Sequence, residues 1–173
     1  KASQPEVRLA TESDSERIAG VVKRAFGVYS DNYTPEAMVV VTPEAEEFTR
    51  RLDVGPQWVV ELDSEIVGTV SVTVEDGDLY VKTMAVDPSV QGRGIAHLLM
   101  NAIDEYAATT THERIFLYTT YFSVGAKELY ENHGYSWVRD TPPEEWYGVP
   151  GLEMEKILSE PEATVAGNTG TFF

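Results

Sequence analysis

The sequence contains no cysteine, only three histidines and little positive charge. The first absence excludes disulfides, thiolate nucleophiles and cysteine metal sites. His97, His112 and His133 lack the i, i+4 spacing of a helical metal pair, so no metal is expected. Thirteen Lys plus Arg stand against 29 Asp plus Glu, a formal charge of -16. That is the wrong sign for neutralising phosphates, and nucleic acid is not an expected partner. No run of 18 apolar residues occurs, so no membrane association through a spanning helix is expected. The N-terminus also lacks a basic stretch followed by an apolar one, and the expected location is cytoplasmic. A chain opening on Lys1 rather than Met leaves a short upstream segment open.

What is present is globular composition: 173 residues, 42% hydrophobic and 10% aromatic, suit one domain with an ample core. The acid excess reads as a solvating surface. Adaptation to high salt and attraction of cationic amines are the sharper alternatives.

Hydrophobic periodicity divides the chain. Val7 to Ala10 reads as a strand, and Ser13-x-x-Glu16 as a capping box before Ile18, Val21, Val22, Ala25 and Phe26 at helical spacing, stopped by Gly27. Residues 27–41 read as loop or short helix. A second helix is expected from Thr42-Pro43, with Glu44, Glu46 and Glu47 near its positive end. Trp58–Leu62, Ile66–Val74 and Leu79–Val86 form an antiparallel meander about two tight turns. Arg114–Thr119 is a fifth strand, Trp137 and Val138 begin a sixth, and Leu152–Leu158 is a seventh. The expected domain is 1–158, with residues 159–173 a flexible tail.

The most informative stretch joins the strand ending at Val86 to a helix whose apolar positions are Ile95, Leu98, Leu99, Ala102, Ile103 and Tyr106. Gly92 and Gly94 lie at the junction, where the backbone can approach a ligand and the helix points its free N–H groups back at the turn. The junction suits a pyrophosphate. Ile95-Ala96 after Gly94 does not supply the Lys-Ser/Thr of a Walker loop. His97 stands where a dinucleotide fingerprint needs Gly or Ala, so both ATP and NAD are disfavoured.

Gln91, Gly94 and Ala96 fill the pattern Gln/Arg-x-x-Gly-x-Gly/Ala, Met84-Ala85-Val86 precedes it, and Ser123-Val124-Gly125-Ala126-Lys127-Glu128-Leu129-Tyr130-Glu131-Asn132-His133-Gly134-Tyr135 follows. Across roughly residues 5–158 the chain resembles the GNAT superfamily of acyl-CoA-dependent N-acyltransferases. It departs from that pattern at Ser123, usually Asn, which leaves one contact to the pantetheine arm open, and at Tyr135, commonly Phe. The resemblance implies an α/β fold of one domain: a mixed, mostly antiparallel sheet of about seven strands, helices on both faces, and a cleft where the strands holding Val86 and Leu117 splay. It further implies acetyl-CoA as cosubstrate and no metal. The binding residues carried over are Met84, Ala85, Val86, Gln91, Gly92, Arg93, Gly94, Ile95, Ala96 and Ser123.

The implied reaction is acetyl transfer to a primary amine of a small molecule, peptide or protein by direct attack in a ternary complex. An alkylammonium of pKa about 10.4 is mostly charged at pH 7, and neutralising it costs roughly 4 to 5 kcal/mol. A phenol of pKa about 10 protonates a thiolate of about 8.5 at a cost of only about 2 kcal/mol. The resemblance places that acid at Tyr130; a tyrosine merely packed on the sheet is the other reading. The resemblance likewise implies that a main-chain N–H at Val86 or Met84 polarises the carbonyl. No base is assigned, because the fourth strand offers Tyr80 and Lys82 where many relatives carry Glu; Glu75 and Asp78 read as solvated turn acids, and a water relay is preferred. Lys127 and Arg93 read either as surface residues or as polar contacts. Tyr29, Tyr33, Trp146 and Tyr147 are expected near the acceptor. A catalytically silent acyl-CoA sensor is the alternative function, a bare scaffold a third, and a homodimer is left open.

Overall fold

The computed structural model describes residues 3–158; the tail expected at 159–173 lies outside the described residues. The elements run β1 (Glu6–Leu9), α1 (Ser15–Gly27), α2 (Pro35–Val41), α3 (Ala45–Arg51), β2 (Gln57–Leu62), β3 (Glu65–Glu75), β4 (Asp78–Val86), α4 (Ile95–Ala108), β5 (Arg114–Thr119), α5 (Ala126–Asn132), β6 (Ser136–Thr141) and β7 (Gly151–Ile157). They build one seven-stranded sheet in the order β1-β2-β3-β4-β5-β7-β6. Every pairing is antiparallel except β4 with β5.

The meander closes through two-residue turns whose residues take positive φ: Asp63 (54°) and Ser64 (69°), then Asp76 (52°) and Gly77 (86°). That backbone matches the twist of the flanking strands. β3 at the centre is buried without interruption from Ile66 to Thr73 because helices cover both its faces. On one face Ile18, Val21 and Val22 of α1 pack with Phe48, Val59, Ile66 and Ala85. On the other, Ile95, Leu99, Met100 and Ile103 of α4 pack with Val60, Val70, Val72, Leu79 and Val81. Each such fully buried aliphatic chain contributes about 1.5–3 kcal/mol.

Two details differ from the sequence expectation. The capping arrangement before α1 belongs to Thr11 and Asp14, not Ser13 and Glu16: Thr11 N–H donates to Asp14 Oδ2 at 2.8 Å across a short 3-10 turn at Glu12–Asp14. Asp14 wins because its carboxylate is also gripped by Arg8 (2.8 Å) and Arg17 (2.9 Å). Second, the Thr-Pro helix start is used at Thr34-Pro35, where Thr34 Oγ1 accepts from Ala37 N–H at 3.1 Å. Thr42 instead ends α2, donating its hydroxyl to Met38 O at 2.6 Å, so the next helix begins at Ala45. Across the sheet β7 lies between β5 and β6, so the last two strands are not in chain order. Among the described residues no helix is long and apolar enough to cross a membrane.

Candidate functional site

β4 and β5 pair only through Leu79 with Ile115 and Tyr80 with Phe116. Beyond that they part, and a cleft of about 1170 Å³ opens between them, bounded by α4, α5 and the segment from α1 to α3. Two features prepare its β4 edge. Thr83 and Met84 together face Val70, because Lys82 pairs with Ser71 and Ala85 with Thr69. This bulge puts Thr83 at φ 60°, a conformation β-branched residues avoid, and Arg51 Nη1 donates to its Oγ1 at 2.8 Å. Further along, Asp87 N–H donates to Val67 O at 2.8 Å. By strand alternation the Val86 N–H therefore turns to the edge that β5 has left.

The turn into α4 is built by conformation. Asp87 Oδ1 accepts from Ser89 N–H at 2.9 Å, while its other oxygen takes Arg24 Nε at 2.8 Å. Gly92 and Gly94 then adopt φ 82° and 81°, and a Cβ at either would meet no atom within 4 Å. Glycine is required there by the left-handed backbone, which costs other L residues about 1–2 kcal/mol, and not by crowding from the protein. The helix is seated by Ile95, whose Cγ2 would lie 2.7 Å from a Cβ at Gly68. First-turn N–H groups at Ile95, Ala96 and His97 have no helical acceptor, and all three residues line the cleft with Gly92 and Gly94. A helix of 14 residues adds its positive dipole end. The arrangement can hold a doubly charged anion.

Met84, Ala85, Val86, Gln91, Ser123 and Tyr130 line the same cleft. Arg93 does not; it is exposed beside it. The Ser123 hydroxyl is engaged with Thr120 Oγ1 at 2.6 Å. Tyr130 is 6% exposed, and its hydroxyl makes no hydrogen bond among the described residues. Burial, with Tyr33 adding to it, pushes its phenol above the ordinary range. Burial likewise pushes Tyr33 up to about 12, against the lowering effect of the Ser123 hydroxyl.

Of the four aromatics expected near the acceptor, Tyr29, Tyr33 and Trp146 line the cleft, but Tyr147 is 53% exposed and outside it. Its φ of 48° swings it away while its carbonyl accepts from Thr34 Oγ1 at 2.6 Å. Lys127 is tied to Glu131 at 2.8 Å, and Asp78 to Arg114 at 3.1 Å; neither lines the cleft, and nor does Glu75. Two cations do line it, Arg51 and Lys82. Arg51 gave no signal in the sequence, since a basic residue in a helix's last turn ordinarily complements the dipole. No group of three or more potential metal ligands occurs among the described residues.

Residues 17–135, more than half of the chain, match the Acetyltransferase (GNAT) family model. N-acetylaspartate synthetase of Homo sapiens is 32% identical over 99 residues, 56% of this chain and 32% of that protein, so the chain spans about a third of its length. An amino-acid acetyltransferase of Mycobacterium tuberculosis is 28% identical over 144 residues, 80% of this chain and 72% of that one. The crystal structure of PaiA N-acetyltransferase from Thermoplasma acidophilum in complex with coenzyme A superimposes with a TM-score of 0.75 at 15% identity, covering 90% of this chain and 99% of that one, a likeness of fold. The splayed β4 and β5, the glycine turn and the 17–135 match together make this chain a member of the GNAT acetyltransferase family.

Proposed function

We propose that the protein is an acetyl-CoA-dependent N-acetyltransferase acting on a primary amine, and that the glycine turn Gln91–Ala96 holds the diphosphate of the cosubstrate. The observation that carries this reading is the convergence of the Gly92–Gly94 turn, the α4 N–H groups and the outward Val86 N–H on one cleft. Acetyl-CoA, when bound, supplies the acetyl group as an activated thioester. Gly92, Gly94, Ile95 and Ala96 offer N–H groups to phosphate oxygens, and Met84 to Val86 offer strand backbone to the pantetheine arm. The Val86 N–H donates to a carbonyl oxygen placed in the cleft. Tyr130 O–H, which makes no hydrogen bond among the described residues, donates its proton to the departing sulfur. Its raised pKa keeps it protonated, and the desolvation that raises it also favours a neutral thiol over a thiolate. The amine loses its proton through water, because no free carboxylate sits on β4 where a base would stand. Relatives named for aspartate and for amino acids make a small amine acceptor a natural candidate.

Calorimetric titration with CoA, followed by thiol release across an amine panel, tests the assignment. The wild type is expected to bind CoA and release thiol, and Gly94→Trp to lose CoA binding while its circular dichroism stays that of the folded chain. Unchanged CoA affinity in a folded Gly94→Trp would remove the turn from the site.

A further inference from the structure

The charge of the cleft runs against that of the molecule. A chain of formal charge -16 places Arg51 and Lys82 side by side in the acceptor half of the cleft, on the last turn of α3 and on β4. Arg51 is 5% exposed and held rigid: Nε donates to Glu47 Oε2 at 3.0 Å, Nη1 to Thr83 Oγ1 at 2.8 Å, and the guanidinium lies 4.9 Å from the Phe48 ring centre. Its Nη2 makes no hydrogen bond among the described residues. Lys82 makes neither an ion pair nor a hydrogen bond among the described residues, although it is half-buried. Burial, and then Arg51, lower its pKa against the opposing pull of Glu47 and Glu75, neither of which reaches ion-pair distance of the ammonium.

The carboxylates of the cleft do not supply it. Glu47 is taken by Arg50 at 2.8 Å as well as by Arg51. Glu145 is gripped by both terminal nitrogens of Arg139, at 2.9 and 2.8 Å. Glu128 is exposed on α5. An anionic group on a ligand would therefore meet an unpaired cation in the cleft. Lys82 precedes Val86 by four residues on one strand, about 13 Å or somewhat less with the bulge. That span fits a lysine side chain plus a small molecule whose nitrogen reaches the carbonyl position at Val86.

We propose that the acceptor amine carries a free carboxylate, bound by Lys82 Nζ and the unengaged Nη2 of Arg51, so that amino acids are acetylated in preference to polyamines or lysine side chains. This rests on the acetyl-transfer reading above. A second ammonium on the acceptor would meet two cations there and be repelled.

The test pairs amino acids, aspartate and glutamate included, with their carboxamides and decarboxylated amines. Thiol release is measured for each, and each is titrated calorimetrically into the CoA-bound protein. The carboxylate-bearing member is expected to lead its neutral counterpart by about 10- to 100-fold in kcat/KM, the range of a charge-assisted hydrogen bond. Lys82→Gln should remove most of that lead through KM with kcat little changed and CoA affinity intact, and Arg51→Lys should weaken it partially. If CoA binds and neutral amines are used as well as or better than the acids, or if Lys82→Gln keeps the discrimination, the proposal fails while acetyl transfer stands. If CoA does not bind, both fail.

Discussion

Tyr130 shows how one side chain was legible and its surroundings were not. Its place in Leu129-Tyr130 and the family resemblance point to it, and the fold puts it in the cleft, 6.0 Å between ring centres from Tyr135. What the sequence does not carry is that Tyr33, far away in the chain, closes over the same space with Phe122 at 4.9 Å. Arg51 is hidden for the same reason: its partner Thr83 is distant in the chain and becomes special only through the bulge. If Tyr130 protonates the leaving sulfur, Tyr130→Phe lowers kcat about 100-fold or more and leaves KM for acetyl-CoA within a few-fold. Because the phenol's pKa is raised, wild-type kcat should show no downturn from this group below about pH 10. Steady-state kinetics across pH checks both, and wild-type turnover in Tyr130→Phe would leave the residue a packing element.

At the scale of elements, strands and long helices follow from local pattern, while short helices depend on which of two equivalent signals the tertiary contacts select. Thr34-Pro35-Glu36 and Thr42-Pro43-Glu44 are the same triplet, yet only the first starts a helix there. The junction between β1 and α1 is likewise decided by a long-range charge set, in which Arg8 also reaches Glu61 on β2 at 3.1 Å. Arg8, donating to Asp14, holds that carboxyl below the ordinary carboxylate range. Arg50 and then Arg51 bring Glu47 down to about 2. Both folded values lie below the unfolded ones, so this stability is fully present above about pH 4.5 and is lost as pH falls toward 2. Asp14→Asn is expected to cost about 1–3 kcal/mol at pH 7, since it removes the buried carboxylate that Arg8 and Arg17 share, while both arginines are partly solvated and Arg8 keeps Glu61. Urea unfolding at pH 7 and at pH 2.5 should show that penalty shrinking with acid; a penalty independent of pH would mean that the ion pairs contribute nothing.

For the whole molecule, composition indicated one globular domain, and the resemblance implied the α/β fold class and the splay between β4 and β5. The sheet order was beyond both, since alternation marks a strand without naming its neighbours, and β7 enters between β5 and β6. Glu153 and Glu155 of β7 are drawn in beside β5 by Arg114, which also holds Asp78 of β4. Net charge was legible in sign but not in distribution: a strongly acidic chain carries Arg51 and Lys82 inside its cleft, the observation on which the proposed preference for a carboxylate-bearing acceptor rests. The central claim, that CoA is gripped by main-chain N–H groups where β4 meets α4, is tested most directly by following backbone amide resonances during a CoA titration. The largest saturable shifts should fall on Val86, Gly92, Gly94, Ile95 and Ala96. Shifts confined to another face of the molecule, or none at saturating CoA, would contradict the account.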